Sequence, residues 1–117
     1  MRKLALLVAL AALVLGATAA FAHHGWSAYD ADKPLNIEAP VKDLAYRNPH
    51  ASITIDYEGR EWHVVLAPVS RMAARGLPES DLLPGKRINI IGYPRKDGTA
   101  EIRAERVIVD GRTVELR

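Results

Sequence analysis

Residues 51–66 read Ala-Ser-Ile-Thr-Ile-Asp-Tyr-Glu-Gly-Arg-Glu-Trp-His-Val-Val-Leu, and their alternation decides the fold class. Successive side chains of an extended chain point to opposite faces, so Ile53 and Ile55 share one side while Ser52, Thr54 and Asp56 share the other. Glu58-Gly59 supplies a two-residue hairpin turn. Folding back about that turn sets Ile55 opposite Trp62 and Ile53 opposite Val64, and Trp62, Val64 and Leu66 then face the side already marked by the isoleucines. Two patterns read independently agree on one buried face, with Trp62 in the core. A register slip of one residue would turn every one of these apolar groups to water.

Working outward, residues 37–46 read as a first strand interrupted by Pro40, which has no N–H to give a ladder, and Asn48-Pro49 stops it. On the other side Pro68 opens a helix of about two turns, with Val69, Met72 and Ala73 at i, i+3 and i+4 before Gly76 ends it. Residues 77–85 form a proline-bounded connection that closes on a Pro84-Gly85 turn. Strands over 87–93 and 101–109 follow, joined across Lys96-Asp97-Gly98-Thr99. Within the latter the apolar parity moves from Ile102 and Ala104 to Val107 and Val109, which requires a bulge near Glu105-Arg106. Asp110-Gly111 turns once more into a short strand over 113–116. This order predicts an all-β domain with one short helix, an OB-like five-stranded small barrel over residues 36–117. An open antiparallel sheet covered by one helix is the alternative.

Ahead of the barrel stand a leader and an arm. Arg2 and Lys3 precede an apolar run from Leu4 to Leu15, and small residues lead to Ala20-Phe21-Ala22. That succession is a secretory signal peptide over residues 1–22. An uncleaved anchor is the rival, because residues 4–22 approach the roughly 20 that span a bilayer. The small residues before His23 favour cleavage after Ala22, hence a periplasmic or secreted protein that meets the membrane only through the leader during export. With no cysteine in the chain, a lipid anchor and disulfides are both excluded. Two of the 16 Lys and Arg residues lie in the leader, so the remaining chain carries 14 basic and 14 acidic residues and no net formal charge. The whole-chain pI of about 9.1 is therefore no argument for nucleic acid. Arg71, Arg75, Lys86, Arg87, Arg95 and Lys96 read as solvated charge, and the single Phe of the chain, Phe21, sits in the leader rather than on a base-stacking face.

Three segments carry a resemblance: Ala22-His23-His24, Asn48-Pro49-His50-Ala51, and Leu83-Pro84-Gly85 leading into Ile88-Asn89-Ile90-Ile91-Gly92-Tyr93-Pro94. Over essentially its whole length the chain resembles the DUF6152 family of small exported bacterial proteins. The resemblance implies export and this fold; it implies no reaction, because the family's function is unknown. Family members carry a serine and then an aromatic residue after the paired histidines. Gly25 and Trp26 stand there in this chain, which keeps both histidines and loosens the hinge behind them.

The candidate site residues are histidines. Residues 23–35 hold Gly, Ser, Asp and Pro without apolar periodicity, and form an arm expected to be irregular. Cleavage after Ala22 would expose the α-amine of His23 beside its own imidazole, and a second imidazole would complete a nitrogen set suited to Cu(II). His50 fits that second position better than His24, since adjacent side chains diverge. Cleavage one residue earlier would instead make His24 the third residue, itself a Cu(II)-binding arrangement. Trp26 and Tyr29 are placed to pack the arm on the barrel and so carry His23 toward His50. His63 falls about 13 Å from His50 along the hairpin, at roughly 3.3 Å per residue, and is left out. The structural alternatives are a polar chain start for His23-His24 and a turn-capping role for His50. Ser27, His24 and Asp30 lack the held geometry of a hydrolytic triad, and no phosphate-loop or dinucleotide motif occurs. The sequence thus reads as an exported, non-enzymatic binding protein for an unidentified protein or small ligand, with Cu(II) as candidate cofactor at His23, His50 and His24. A periplasmic structural or protein-interaction module without metal is the second reading. An enzyme would need a redox-active histidine site.

Overall fold

Between Arg60 and Tyr57 the chain reverses through Glu58 at φ 49° and Gly59 at φ 73°, the pair of positive values that a type I′ turn needs to match strand twist. The computed structural model describes residues 25–117; the leader, His23 and His24 lie outside the described residues. The described residues form seven strands: β1 (Leu35–Pro40), β2 (Asp43–Ala45), β3 (Ser52–Tyr57), β4 (Arg60–Val65), β5 (Arg87–Pro94), β6 (Glu101–Val109) and β7 (Arg112–Glu115). One short helix, α1 (Val69–Ala74), lies between β4 and β5, followed by a 3₁₀ turn at Glu79–Leu82. The β3–β4 register is the one the alternation dictates, with Ile55 opposite Trp62 and Ile53 opposite Val64. Ile53, Ile55 and Val64 are buried, and Trp62 packs half-buried against them with its indole N–H donating to the Tyr57 carbonyl at 3.2 Å.

The sheet order is β1-β5-β6-β4-β3-β2, with β7 paired to β6. Its two ends, β1 and β2, are consecutive in the chain and separated only by Val41 and Lys42. At that point the backbone changes partners: Val41 N–H donates to the Lys86 carbonyl and Lys42 N–H to the Thr54 carbonyl, both at 2.8 Å. Pro40 marks the break because it cannot extend the ladder. One bent segment therefore touches both β5 and β3 and curls the sheet into a half-barrel. Taken as a single bent strand, β1 and β2 leave the five-strand path of an OB-like fold, including its parallel pair, here β4 with β6. The count of seven against the expected five comes from this split and from β7. The parallel pair and the curl decide against an open antiparallel sheet.

The bulge falls at Glu105. Ile91 opposes Arg106 while Gly92 opposes Ala104, so Glu105 has no counterpart on β5. Ile102 and Ala104 on one side of it, and Val107 and Val109 on the other, are all buried. Gly92 lies across from this distortion, where a Cβ would sit 2.3 Å from the Arg103 carbonyl oxygen. The helix begins one residue later than its pattern predicts, with Pro68 as its N-cap, and only Met72 of the three expected apolar positions is buried. Leu77 and Leu82 from the connection join the same core.

The arm is turn-like but tied down. Trp26–Ala28 form a 3₁₀ turn, Tyr29 bridges Arg95, Asp30 N–H donates to the Pro94 carbonyl at 2.8 Å, and Lys96 N–H donates to the Ala28 carbonyl at 3.0 Å.

Candidate functional site

Arg103 lies between the inward-facing Ile102 and Ala104, so its side chain leaves the outer surface of β6, flanked by Tyr93 on β5 and Val65 on β4. The arm covers it. The Arg103 guanidinium carbon is 4.6 Å from the centroid of the Trp26 ring, and that of Arg117 is 4.5 Å from the same ring. Tyr93 meets Trp26 edge-on at 6.3 Å and Tyr29 meets it at 6.5 Å. Tyr29 is buried, and its hydroxyl donates to Glu101 Oε2 at 2.7 Å. Burial first, and then the Glu101 carboxylate, push this hydroxyl up to about 12. A cleft of about 290 Å³ opens between arm and barrel, lined by Trp26, Tyr29, Tyr93, Lys96 and Arg117 among others.

Charge is distributed unevenly over the domain. Lys86 pairs with Asp110 at 2.6 Å, Arg87 with Glu38 at 3.0 Å and Arg95 with Glu101 at 3.2 Å, while Arg75 donates to the Glu115 carbonyl at 3.1 Å. Arg103 has no such relief: its Nε is buried without a hydrogen-bond partner, and among the described residues no ion pair includes it or Arg71. Burial first, with the charges of Arg71 and Arg117, lowers the Arg103 pKa from its ordinary value against the opposing pull of Tyr29 and Glu101. His50 shares the environment; burial and then Arg103 and Arg71 lower its pKa.

His50 follows a cis Asn48–Pro49 bond in the connection between β2 and β3. Ala51 and Leu66 continue the hairpin ladder, Leu66 N–H donating to the Ala51 carbonyl at 2.9 Å and Ala51 N–H to the Ala67 carbonyl at 2.8 Å. That extension puts His50 on the outer side with Ser52 and Thr54, the surface from which Arg103 also projects. No hydrogen bond among the described residues engages its ring, so the turn-capping alternative finds no bond there. His63 stands opposite Thr54, four residues along from His50, and lines a separate recess with Asp43, Arg47 and Ser52. His23 and His24 lie outside the described residues. Among the described residues no group of three His, Cys, Asp or Glu side chains is placed to hold a metal ion.

The arm's direction follows from register. Tyr29 meets Glu101 and Trp26 meets Arg103, so toward its N-terminal side the arm advances along β6 in the direction of Glu105. Since β4 runs parallel to β6 and β3 antiparallel to β4, that is the end of the sheet where His50 lies. Sequence reasoning finds His50, Trp26 and Tyr29 but misses Arg103 and Arg117. The one available signal is parity, which puts Arg103 on the outer face.

No curated protein matches the sequence. The DUF6152 profile, described as a family of unknown function, matches residues 10–103, a span that includes the arm, His50 and Arg103, and the chain belongs to that family.

Proposed function

We propose that this is a small exported binding protein whose site lies at the arm-covered end of the outer sheet face, and that it takes Cu(II) there. The His23 amine and imidazole supply two nitrogens and His50 a third, with His24 as the substitute donor if the leader is cut one residue earlier. The observation that carries the reading is the path of the arm, which at Trp26 is heading for the His50 end of the sheet. The donor chemistry suits the metal, since nitrogen sets rank Cu(II) above the other first-row divalent ions. Arg71 and Arg103 beside His50 oppose a bare dication. The site therefore depends on close nitrogen ligation rather than on a negative field.

Mass spectrometry of the exported protein should give His23 as the first residue. Titration of that protein with Cu(II) should then show sub-micromolar binding, weakened at least tenfold in both His23→Ala and His50→Ala. Absence of such binding, or binding unchanged in both variants, overturns the copper reading. A flat titration with the fold intact would favour the metal-free protein-interaction module instead.

A further inference from the structure

The geometry points to an oxyanion site at the end of the outer sheet face where Arg103 and Arg117 meet on the Trp26 ring and Arg71 is tied to the adjoining Leu116 carbonyl, built to take the carboxylate or phosphate group of a small ligand. The first argument is hydrogen bonding. A guanidinium carries five N–H donors in one plane, yet Arg103 is half-buried, its Nε is shut away from water without a partner, and no carboxylate reaches it. The Arg103 guanidinium carbon lies over the ring of Trp26, which presents no lone-pair acceptor to the N–H groups. A buried charged donor without a partner is rare in folded proteins and calls for an explanation; the terminal N–H groups of Arg103, which are not shut away as Nε is, are the ones an oxyanion would meet.

The second argument is the company Arg103 keeps. Four arginines elsewhere, Arg87, Arg95, Arg106 and Arg112, meet carboxylates at hydrogen-bonding distance, as Arg106 meets Glu115 at 2.9 Å and Arg112 meets Asp81 at 2.8 Å, whereas the other unpaired arginines among the described residues, Arg47, Arg60 and Arg75, are exposed and solvated or, like Arg75, bonded to a backbone carbonyl. Here Arg103 shares the Trp26 ring with Arg117 and feels the charge of Arg71 as well, opposed only by Tyr29 and by Glu101, which makes no ion pair with it; the nearest acid to Arg117 is Glu105 at 3.9 Å, already accepting from the Tyr93 hydroxyl at 2.8 Å. Like charges gathered at a half-buried point are stabilised by an anion, and planar guanidinium donors match the geometry of carboxylate and phosphate oxygens. The site is also held in place. Arg71 is anchored by donation to the Leu116 carbonyl at 3.1 Å, and Trp26 fixes Arg103 and Arg117 together.

The test uses the exported protein, stripped of metal with a chelator and carrying His50→Ala, so that failure of the copper reading does not affect it. A Trp62→Phe change leaves Trp26 as the only tryptophan reporter. Inorganic phosphate and acetate are titrated separately at constant ionic strength held with chloride, following Trp26 fluorescence and the Nε–H resonance of Arg103. At least one of the two should saturate and shift that resonance, phosphate or acetate alone identifying which oxyanion is preferred. Arg103→Gln should weaken the response at least tenfold, while Arg75→Gln should not. A response that never saturates, an Arg103 resonance that does not move in the protein with Arg103 intact, or binding undiminished by Arg103→Gln overturns the proposal.

Discussion

The Arg103 guanidinium carbon lies 4.6 Å from the centroid of the Trp26 ring, and with Arg117 at 4.5 Å from the same ring it fastens an irregular arm to the outside of a barrel. Such contacts contribute about 0.5–2 kcal/mol each, depending on how far they are desolvated. Trp26→Ala should therefore cost about 1–4 kcal/mol and free the arm without unfolding the sheet. Urea denaturation measures the first effect. Limited proteolysis measures the second: new cleavage between residues 25 and 34 is expected, and an arm as resistant as before would show that the backbone bonds from Asp30 and Lys96 hold it alone.

Tyr29 gives a pH dependence of definite sign. Its hydroxyl is pushed up to about 12 in the folded protein, by burial first and then by Glu101, so folding favours the neutral phenol. The associated stability is complete below the unfolded value of about 10 and is lost as pH rises from there through about 12. In a spectroscopic titration of the phenolate, Tyr29 should ionise last, and Glu101→Gln should bring it down only part of the way because burial remains. Tyr29→Phe should flatten the stability profile above pH 10, and a slope unchanged by that substitution would count against the assignment.

Gly92 is required by space rather than by backbone angle. An added Cβ would lie 2.3 Å from the Arg103 carbonyl and 2.9 Å from Ile102 Cγ2, beside the Glu105 bulge. Backbone is a poor partner for relief, so Gly92→Ala should cost about 3 kcal/mol, at the upper end of overpacking effects. The denaturation midpoint should fall accordingly. Gly98→Ala, in an open turn, should cost less, by an amount set by its positive φ alone.

What the sequence reveals follows the range of the physics. The β3–β4 register is legible because alternation and a two-residue turn act within 16 residues, and the bulge is legible because Val107 and Val109 break the parity of Ile102 and Ala104. The partner change at Val41-Lys42 is marked in the sequence only by Pro40, which signals a break without saying that both halves stay in one sheet. The cation cluster has no local signature. Trp26, Arg71, Arg103 and Arg117 come from four separate segments, and no spacing rule relates them. Nor can charge counts separate Arg103 from Arg87: both stand within residues 23–117, where basic and acidic residues balance, and only the tertiary fold gives Glu38 to one and leaves the other beside Arg117 without an ion pair.

Copper and the arginines should be coupled, and the sign of the coupling tests both proposals together. A dication held by His23 and His50 would feel the positive charges of Arg71 and Arg103 across a partly solvated surface. Removing one such charge relieves a repulsion of about 1 kcal/mol, or several-fold in affinity, in the high effective dielectric of an exposed end. Arg103→Gln should thus tighten Cu(II) binding several-fold while abolishing the oxyanion response. Competition against a chelator of known affinity reads the first effect, and in a His50→Ala background the gain should shrink as the metal loses its anchor near the arginines. Copper affinity indifferent to Arg103→Gln would move the metal away from His50, to a site made by the first residues of the arm alone.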